Sequence, residues 1–258
     1  MQIITYLGQL DYYERILPQN DPLQQTLRQL KKVIEAYTQN KLPAFCLPSL
    51  LIDENDLQRL LLNPLFASHD SWLQRTKIVD QLAHFLLDFR QLIQQQLGIW
   101  SLLNQPMMDQ WVQQFPQQAY LEIMAGNGML SQSLVAQGQK VIATDDFTWS
   151  TTSLTGQKTW LPVKRYDALA AVRRFFAEVD VILLSWSPDH EQIDWQVLQY
   201  LRSLANPPEL WVLGEYRGIT NSSQFWQQAH LCFDSRIARI NKYYPTIDLV
   251  KDHLFVVR

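Results

Sequence analysis

The chain has 258 residues, 47% of them hydrophobic, and carries 22 basic against 25 acidic side chains for a net charge of −3. That length buries one large or two modest cores, and the balance shows none of the basic footprint that phosphate neutralisation asks of a nucleic-acid binder. Membrane-spanning apolar runs and a basic-then-apolar leader are both missing, and the two cysteines, Cys46 and Cys232, lack metal-ligand spacing, so the expectation is a cytoplasmic chain without metal or membrane contact.

Residues 1 to about 115 read as helices. Asp21 as N-cap with Pro22 at the first helical position opens a periodic segment through Leu23, Leu27, Leu30 and Ile34 that ends near Asn40. Pro43 and Pro48 interrupt the chain, and Asp53 to Leu62 form a short helix closed by Asn63-Pro64. A longer helix runs from about Ser71 to Leu97, with Ile78, Leu82, Phe85, Leu86, Phe89 and Ile93 on one face and Gly98 as its stop. His84 on this helix reads as a partly exposed histidine. Glutamines crowd residues 91 to 118, yet Trp100, Met107, Met108, Trp111 and Phe115 interrupt them, which predicts a further short helix after Pro106 and not a disordered linker.

The most informative stretch follows. Tyr120 to Met124 form a short apolar strand carrying one carboxylate, Glu122, and Ala125-Gly126-Asn127-Gly128 make a glycine turn. Leu130, Leu134 and Val135 then recur at helical spacing, Gly138 stands where a C-terminal cap belongs, and Val141 to Thr144 form a second strand delivering Asp145 and Asp146. This is one βαβ unit of a nucleotide-binding fold. A dinucleotide site wants G-x-G-x-x-G/A, and Ser131 at the third small position keeps NAD open. Glu122 argues against it, because a carboxylate beside the turn repels a pyrophosphate and welcomes a cation.

The pattern E-x-x-x-G-x-G with an acid at the end of the next strand resembles motif I of the class I S-adenosylmethionine-dependent methyltransferases, over about residues 119–258. The resemblance implies a seven-stranded, mostly parallel Rossmann-like α/β sheet with its last strand antiparallel, preceded here by an all-α region. It assigns Glu122 and Gly126 to Gly128 to the methionine part of the cofactor and Asp145 to the ribose hydroxyls. Met124, Ala125, Asp146, Ala168 and Ser185 complete the cofactor contacts it implies. Most members carry glycine two residues after the first acid, where this chain has Met124, which narrows the methionyl end.

Beyond Asp146, residues 147–160 are rich in β-branched and hydroxyl side chains and read as a loop with at most a turn. Val163 to Tyr166 form a third strand and Ala168 to Phe176 a helix, with Asp167 either its cap or, by resemblance, the acceptor of the adenine amino group. Val179 to Leu184 make a buried parallel strand. It ends in Ser185-Trp186-Ser187-Pro188, not in the N/D-P-P-Y/F of base and glutamine methyltransferases. Ile193 to Leu204 read as helix, Leu210 to Leu213 as the fifth strand, and Gly214 to Gly218 as a loop presenting Glu215. A helix near Ser222 to His230, a strand near Ser235 to Ile240, a loop with Tyr243, Tyr244 and Pro245, and a last strand, His253 to Val257, complete the chain.

The expected function is methyl transfer from S-adenosylmethionine to a small-molecule acceptor, with Ser185, Trp186 and Glu215 as candidate catalytic residues and Asp189 and His190 as further candidate bases. A non-catalytic cofactor-binding module and a nicotinamide-dependent oxidoreductase are the alternatives. Two units are expected, a helical domain (1–115) that caps the cleft or pairs two subunits, and a cofactor domain (116–258).

Overall fold

The computed structural model describes residues 1–63, 71–244 and 246–258, so Pro64 and Pro245, invoked above as a helix stop and a loop residue, lie outside the described residues. Among the described residues five helices come first: α1 (Ile3–Ile16), α2 (Pro22–Thr38), α3 (Glu54–Leu62), α4 (Trp72–Leu97) and α5 (Gln105–Gln114). Their ends follow capping chemistry. The Asp21 carboxylate accepts the Leu23 N–H at 2.9 Å and also receives Arg59, tying α2 to α3, while Asp53 and Asp56 form a reciprocal capping box. The α4 helix stops at Gly98, whose φ of +64° leaves the helix in the left-handed region. Among the described residues no helix is long and apolar enough to cross a membrane.

Seven strands follow: β1 (Ala119–Ile123), β2 (Lys140–Asp145), β3 (Lys164–Arg165), β4 (Val181–Ser185), β5 (Glu209–Glu215), β6 (Leu231–Cys232) and β7 (Asp252–Val257). They form one sheet in the order β3-β2-β1-β4-β5-β7-β6. The pairs among β1 to β5 are parallel, and β7 runs antiparallel to both β5 and β6. Helices α6 (Met129–Ala136), α7 (Ala168–Phe175), α8 (Ile193–Arg202), α9 (Ser223–Gln228) and α10 (Ser235–Asn241) connect the strands. This is a seven-stranded Rossmann-like sheet of the methyltransferase type.

Period-two alternation divides the core into two layers. Tyr120, Val181, Leu183, Trp211 and Leu213 face one side, where they share a continuous apolar cluster with α1 to α6 and α10. Leu121, Ile123, Ile182, Leu184 and Val212 face the other side and pack on α7, α8 and α9. The N-terminal helices therefore share one apolar core with that face of the sheet. Trp111 of α5 anchors them, donating its indole N–H to the Tyr120 hydroxyl at 3.1 Å and lying 5.7 Å from the Trp211 ring. Removal of such a fully buried tryptophan costs roughly 3–5 kcal/mol.

The C-terminal region corrects one expectation. Ser235 to Ile240, read as a strand, is helix α10, and the strand lies earlier at Leu231–Cys232. The Asp234 carboxylate accepts the Arg236 N–H at 2.7 Å and nucleates the helix, and Ile237 and Ile240, three residues apart, bury one face of it. His84 is exposed, as its helix face predicts.

Candidate functional site

Strands β1 and β4 are neighbours, and the connections that leave them go to opposite sides of the sheet, which opens a crevice at their carboxyl ends. A cavity of about 500 Å³ lies there. Its floor is the Ala125–Asn127 part of the glycine turn with Glu122, one wall is Asp145, Asp146 and the 148–149 turn, and the opposite wall is the 185–191 segment. Gly128 lies off the lining, where a Cβ would stand 2.5 Å from Leu161 Cδ2. The roof comes from the α4–α5 connection, residues Gly98 to Ser101 with Leu103. Met124, Asp167 and Ala168 also line it.

The turn is held in place from both sides. The Asp145 carboxylate accepts the Gly126 N–H at 2.8 Å and the Phe147 N–H at 2.7 Å, so the second acid braces the turn of the first strand. Asn127 is fully used by the protein: its amide donates to the Leu97 and Gly98 carbonyls, and its oxygen accepts the Gly156 N–H at 2.7 Å. The side chain of Asn127 thus clamps the end of α4 and the 154–156 loop onto the turn. A Cβ on Gly98 would stand 2.6 Å from the Leu154 carbonyl carbon, so only glycine permits this approach.

Met124 has φ +56° and Trp186 φ +55°, one residue past the ends of β1 and β4. A left-handed conformation at Met124 accounts for the glycine usual at this place in the family and costs a non-glycine residue of order 1–3 kcal/mol. Both strained residues line the cavity, and the Ser187 hydroxyl next to Trp186 lies 4.0 Å from the Met124 sulfur.

Electrostatically the floor is acidic. Burial pushes the Glu122 carboxyl up to about 7, against the hydrogen bonds from the Ser131 hydroxyl and N–H, and the Asp145 charge adds to the rise. Both Ser131 bonds fall on Oε2, while no protein donor among the described residues reaches Oε1. Burial also raises Asp145, opposed by its two backbone donors, with Asp146 adding repulsion. The Asp146 carboxylate accepts from Thr148, and Asp167 caps α7 by accepting the Ala170 N–H at 2.9 Å.

The Ser185 and Ser101 hydroxyls bond to each other at 2.6 Å, joining strand β4 to the roof. Trp186 lines the cavity in front of a buried ionic group: Arg90 of α4 lies 5.1 Å from its ring, donates to both oxygens of Asp248 at 2.7 and 3.1 Å, and reaches Asp252 at 2.9 Å. The Trp186 indole N–H faces Asp252 closely enough to lower its pKa without strict hydrogen-bond geometry, although burial raises Asp252 on balance. Asp189 and His190 stand at the open rim of the cavity.

Glu215 stands elsewhere. It is not part of the cavity wall, and its carboxylate accepts the Lys251 N–H at 3.0 Å and the Ile219 N–H at 3.1 Å, which folds the 215–219 loop against the start of β7. From that loop only Ile219 reaches the cavity. Conversely, Arg90, Ser101 and Trp149 enter the site without any local motif that marks them, and Trp100 enters it from the helical region expected to cap the cleft. Arg90 carries only the signal of its position, since it falls four residues after Leu86 and three before Ile93, on the apolar face of its helix.

No family model matches the chain and no curated protein matches it. Among solved structures, TehB from Haemophilus influenzae is 12% identical over 65% of this chain and 65% of its own, with a TM-score of 0.36. TrmN from Thermus thermophilus is 18% identical over 60% of this chain and 49% of its own, with a TM-score of 0.33, so the chain spans about half the length of that protein. MtNAS, crystallised with MTA and tNA, is 10% identical over 99% of this chain and 96% of its own, with a TM-score of 0.37. At these identities and scores the matches add nothing about activity. By its own strand order and its antiparallel seventh strand, the chain has a seven-stranded, mostly parallel Rossmann-like fold of the methyltransferase type.

Proposed function

We propose that the protein is an S-adenosylmethionine-dependent methyltransferase acting on a small molecule. The observation that carries this reading is the convergence of the Glu122 and Asp145 carboxylates, from adjacent strands, on one roofed cavity at the carboxyl ends of β1 and β2. The donor set suits the cofactor. Oε1 of Glu122 is an acceptor for an ammonium, Asp145 keeps lone pairs for two hydroxyls beyond its backbone bonds, and Asp167 stands at the far wall for an exocyclic amine. Three carboxylates repel a pyrophosphate, which disfavours a dinucleotide.

When bound, S-adenosylmethionine supplies an electrophilic methyl group, so this chain has only to position the reactants and exclude water. Glu122, with Asp145 above it, gives the floor a negative potential that orients a cationic centre. Trp186 and Pro188 form the dry wall, and the Ser101–Ser185 pair offers a hydroxyl to a polar acceptor. The roof at residues 98–103 closes the methionyl end.

Calorimetry with S-adenosylmethionine, S-adenosylhomocysteine and NAD side by side tests this. The expected result is micromolar binding of the first two and none of NAD. Binding of NAD alone overturns the proposal, and binding of both sulfur ligands with no methylation across an acceptor panel points to the non-catalytic module instead.

A further inference from the structure

The cavity holds more aromatic surface and less positive charge than cofactor binding alone asks for. Six carboxylates line it, from Glu122, Asp145, Asp146, Asp167, Asp189 and Glu191, and among the described residues no lysine or arginine does. Arg90 sits behind Trp186 and is held by Asp248 and Asp252, and Arg165, beside Asp145 in register, stacks on the Phe147 ring and does not line the cavity. An anionic acceptor would find no counter-charge here, and its own desolvation would go uncompensated.

Three indoles share the same space. The Trp100 ring lies 5.9 Å from Trp149 and 6.0 Å from Trp186, and His190 lies 6.3 Å from Trp149 on the rim side. Each of the three tryptophans lines the cavity, and two are fixed before any ligand arrives. The Trp100 N–H donates to the Thr155 hydroxyl at 2.9 Å, and Arg90 occupies one face of Trp186. Preset indoles lining an acid-rich cavity form a receptor for a cation, because ring quadrupole and carboxylate field act in the same direction.

We propose that the acceptor is a cationic small molecule, an amine or ammonium compound, whose charged group rests against Trp100, Trp149 and Trp186 with Asp189 and Glu191 at the entrance. A separate uncharged heteroatom of the same molecule attacks the methyl carbon, the sulfur–methyl bond breaks to leave neutral S-adenosylhomocysteine, and the heteroatom's proton passes to solvent. This rests on the methyltransferase reading and narrows its substrate class. Neutral aromatic and anionic acceptors are the classes it excludes.

The test keeps cofactor and acceptor apart. The full-length protein is first titrated with S-adenosylhomocysteine, and the saturated complex is then titrated by calorimetry or ligand-observed NMR with choline, with its neutral isostere 3,3-dimethylbutan-1-ol and with the anion 3,3-dimethylbutanoate. The expected result is choline at least tenfold tighter than the alcohol, and the carboxylate weaker than both. Trp100→Leu should erase most of that preference and Trp100→Phe should retain it, each variant being judged on its own S-adenosylhomocysteine affinity as a check on folding. Equal binding of choline and the alcohol overturns the proposal, as does choline binding that S-adenosylhomocysteine abolishes, since the indoles would then belong to the cofactor's own cation. Failure of S-adenosylhomocysteine to bind removes the methyltransferase reading and the acceptor class with it.

Discussion

On one side of the cavity, Glu122, the glycine turn and Asp145 come from a single run of chain, and the donors to its two carboxylates come from that run or the residue just after it: Ser131 to Glu122, and Gly126 and Phe147 to Asp145. On the other side, Trp100, Trp149 and Trp186 arrive from three separate segments. Trp186 is backed by Arg90, whose carboxylate partners lie 158 and 162 residues away in sequence. A local unit can be carried from one protein to another with its function intact, whereas an assembled wall depends on every element packed behind it. Damage to the two sides should therefore read out differently, as lost affinity on the first and as lost stability on the second.

The largest effect belongs to the assembled side. Arg90→Met strands two buried carboxylates and should destabilise the protein by about 3–5 kcal/mol in chemical denaturation, while adding Asp248→Asn and Asp252→Asn should restore most of that loss. If the single variant unfolds like the parent chain, the buried ionic group is not what holds the tryptophan wall.

Next comes the pH response of Glu122. Its folded pKa, about 7, lies above the ordinary carboxylate value of 4.5, so the folded state retains a proton that the unfolded chain releases. Stability should then be greatest below about pH 4.5 as far as this group is concerned, and should fall by a few kcal/mol as pH rises toward 7, levelling off above it. Cofactor affinity should move the opposite way, rising from pH 6 to 8 as Glu122 ionises. Glu122→Gln should flatten both profiles. A parent chain whose cofactor affinity is independent of pH across that range would remove Glu122 from contact with any cation.

The smallest effect is the most local. Asp145→Ala should weaken S-adenosylhomocysteine binding by about 1.5–3 kcal/mol, roughly tenfold to a hundredfold. Asp146→Ala should do less. Equal and small losses from both would move the hydroxyl-binding acid away from the end of β2.

This division also governs what can be read from sequence. The β1–α6–β2 unit is legible because its acid, glycines and helical spacing are neighbours, and Asp21, Asp53 and Asp167 announce their helices for the same reason. Helix α10 misleads because Ile237 and Ile240 carry strand propensity while Asp234 supplies the stronger cap. Glu215 sits at the expected strand end, yet whether a carboxylate turns to the cavity or to the backbone of its own loop depends on Ile219 and Lys251, which no local pattern relates to it. Trp100 and Trp149 become a wall only once α4 is fastened to the glycine turn through Asn127.

That fastening decides how molecules enter and leave. The roof is tied down along its length, with Tyr37 donating to the Leu103 carbonyl at 2.7 Å, Asn104 to that of Tyr243 at 2.9 Å and the Gln105 N–H to that of Pro43 at 2.9 Å. By contrast, residues 148–153 bond mostly to their own turn, through Ser150, Thr151 and Ser153. Molecules therefore pass the rim at Asp189 and His190, and no parting of helices from sheet is needed. Trp149 stands beside that opening, 6.3 Å from the His190 ring, on a turn held chiefly by its own residues, so the wall nearest the opening is also the one least tied to the rest of the fold.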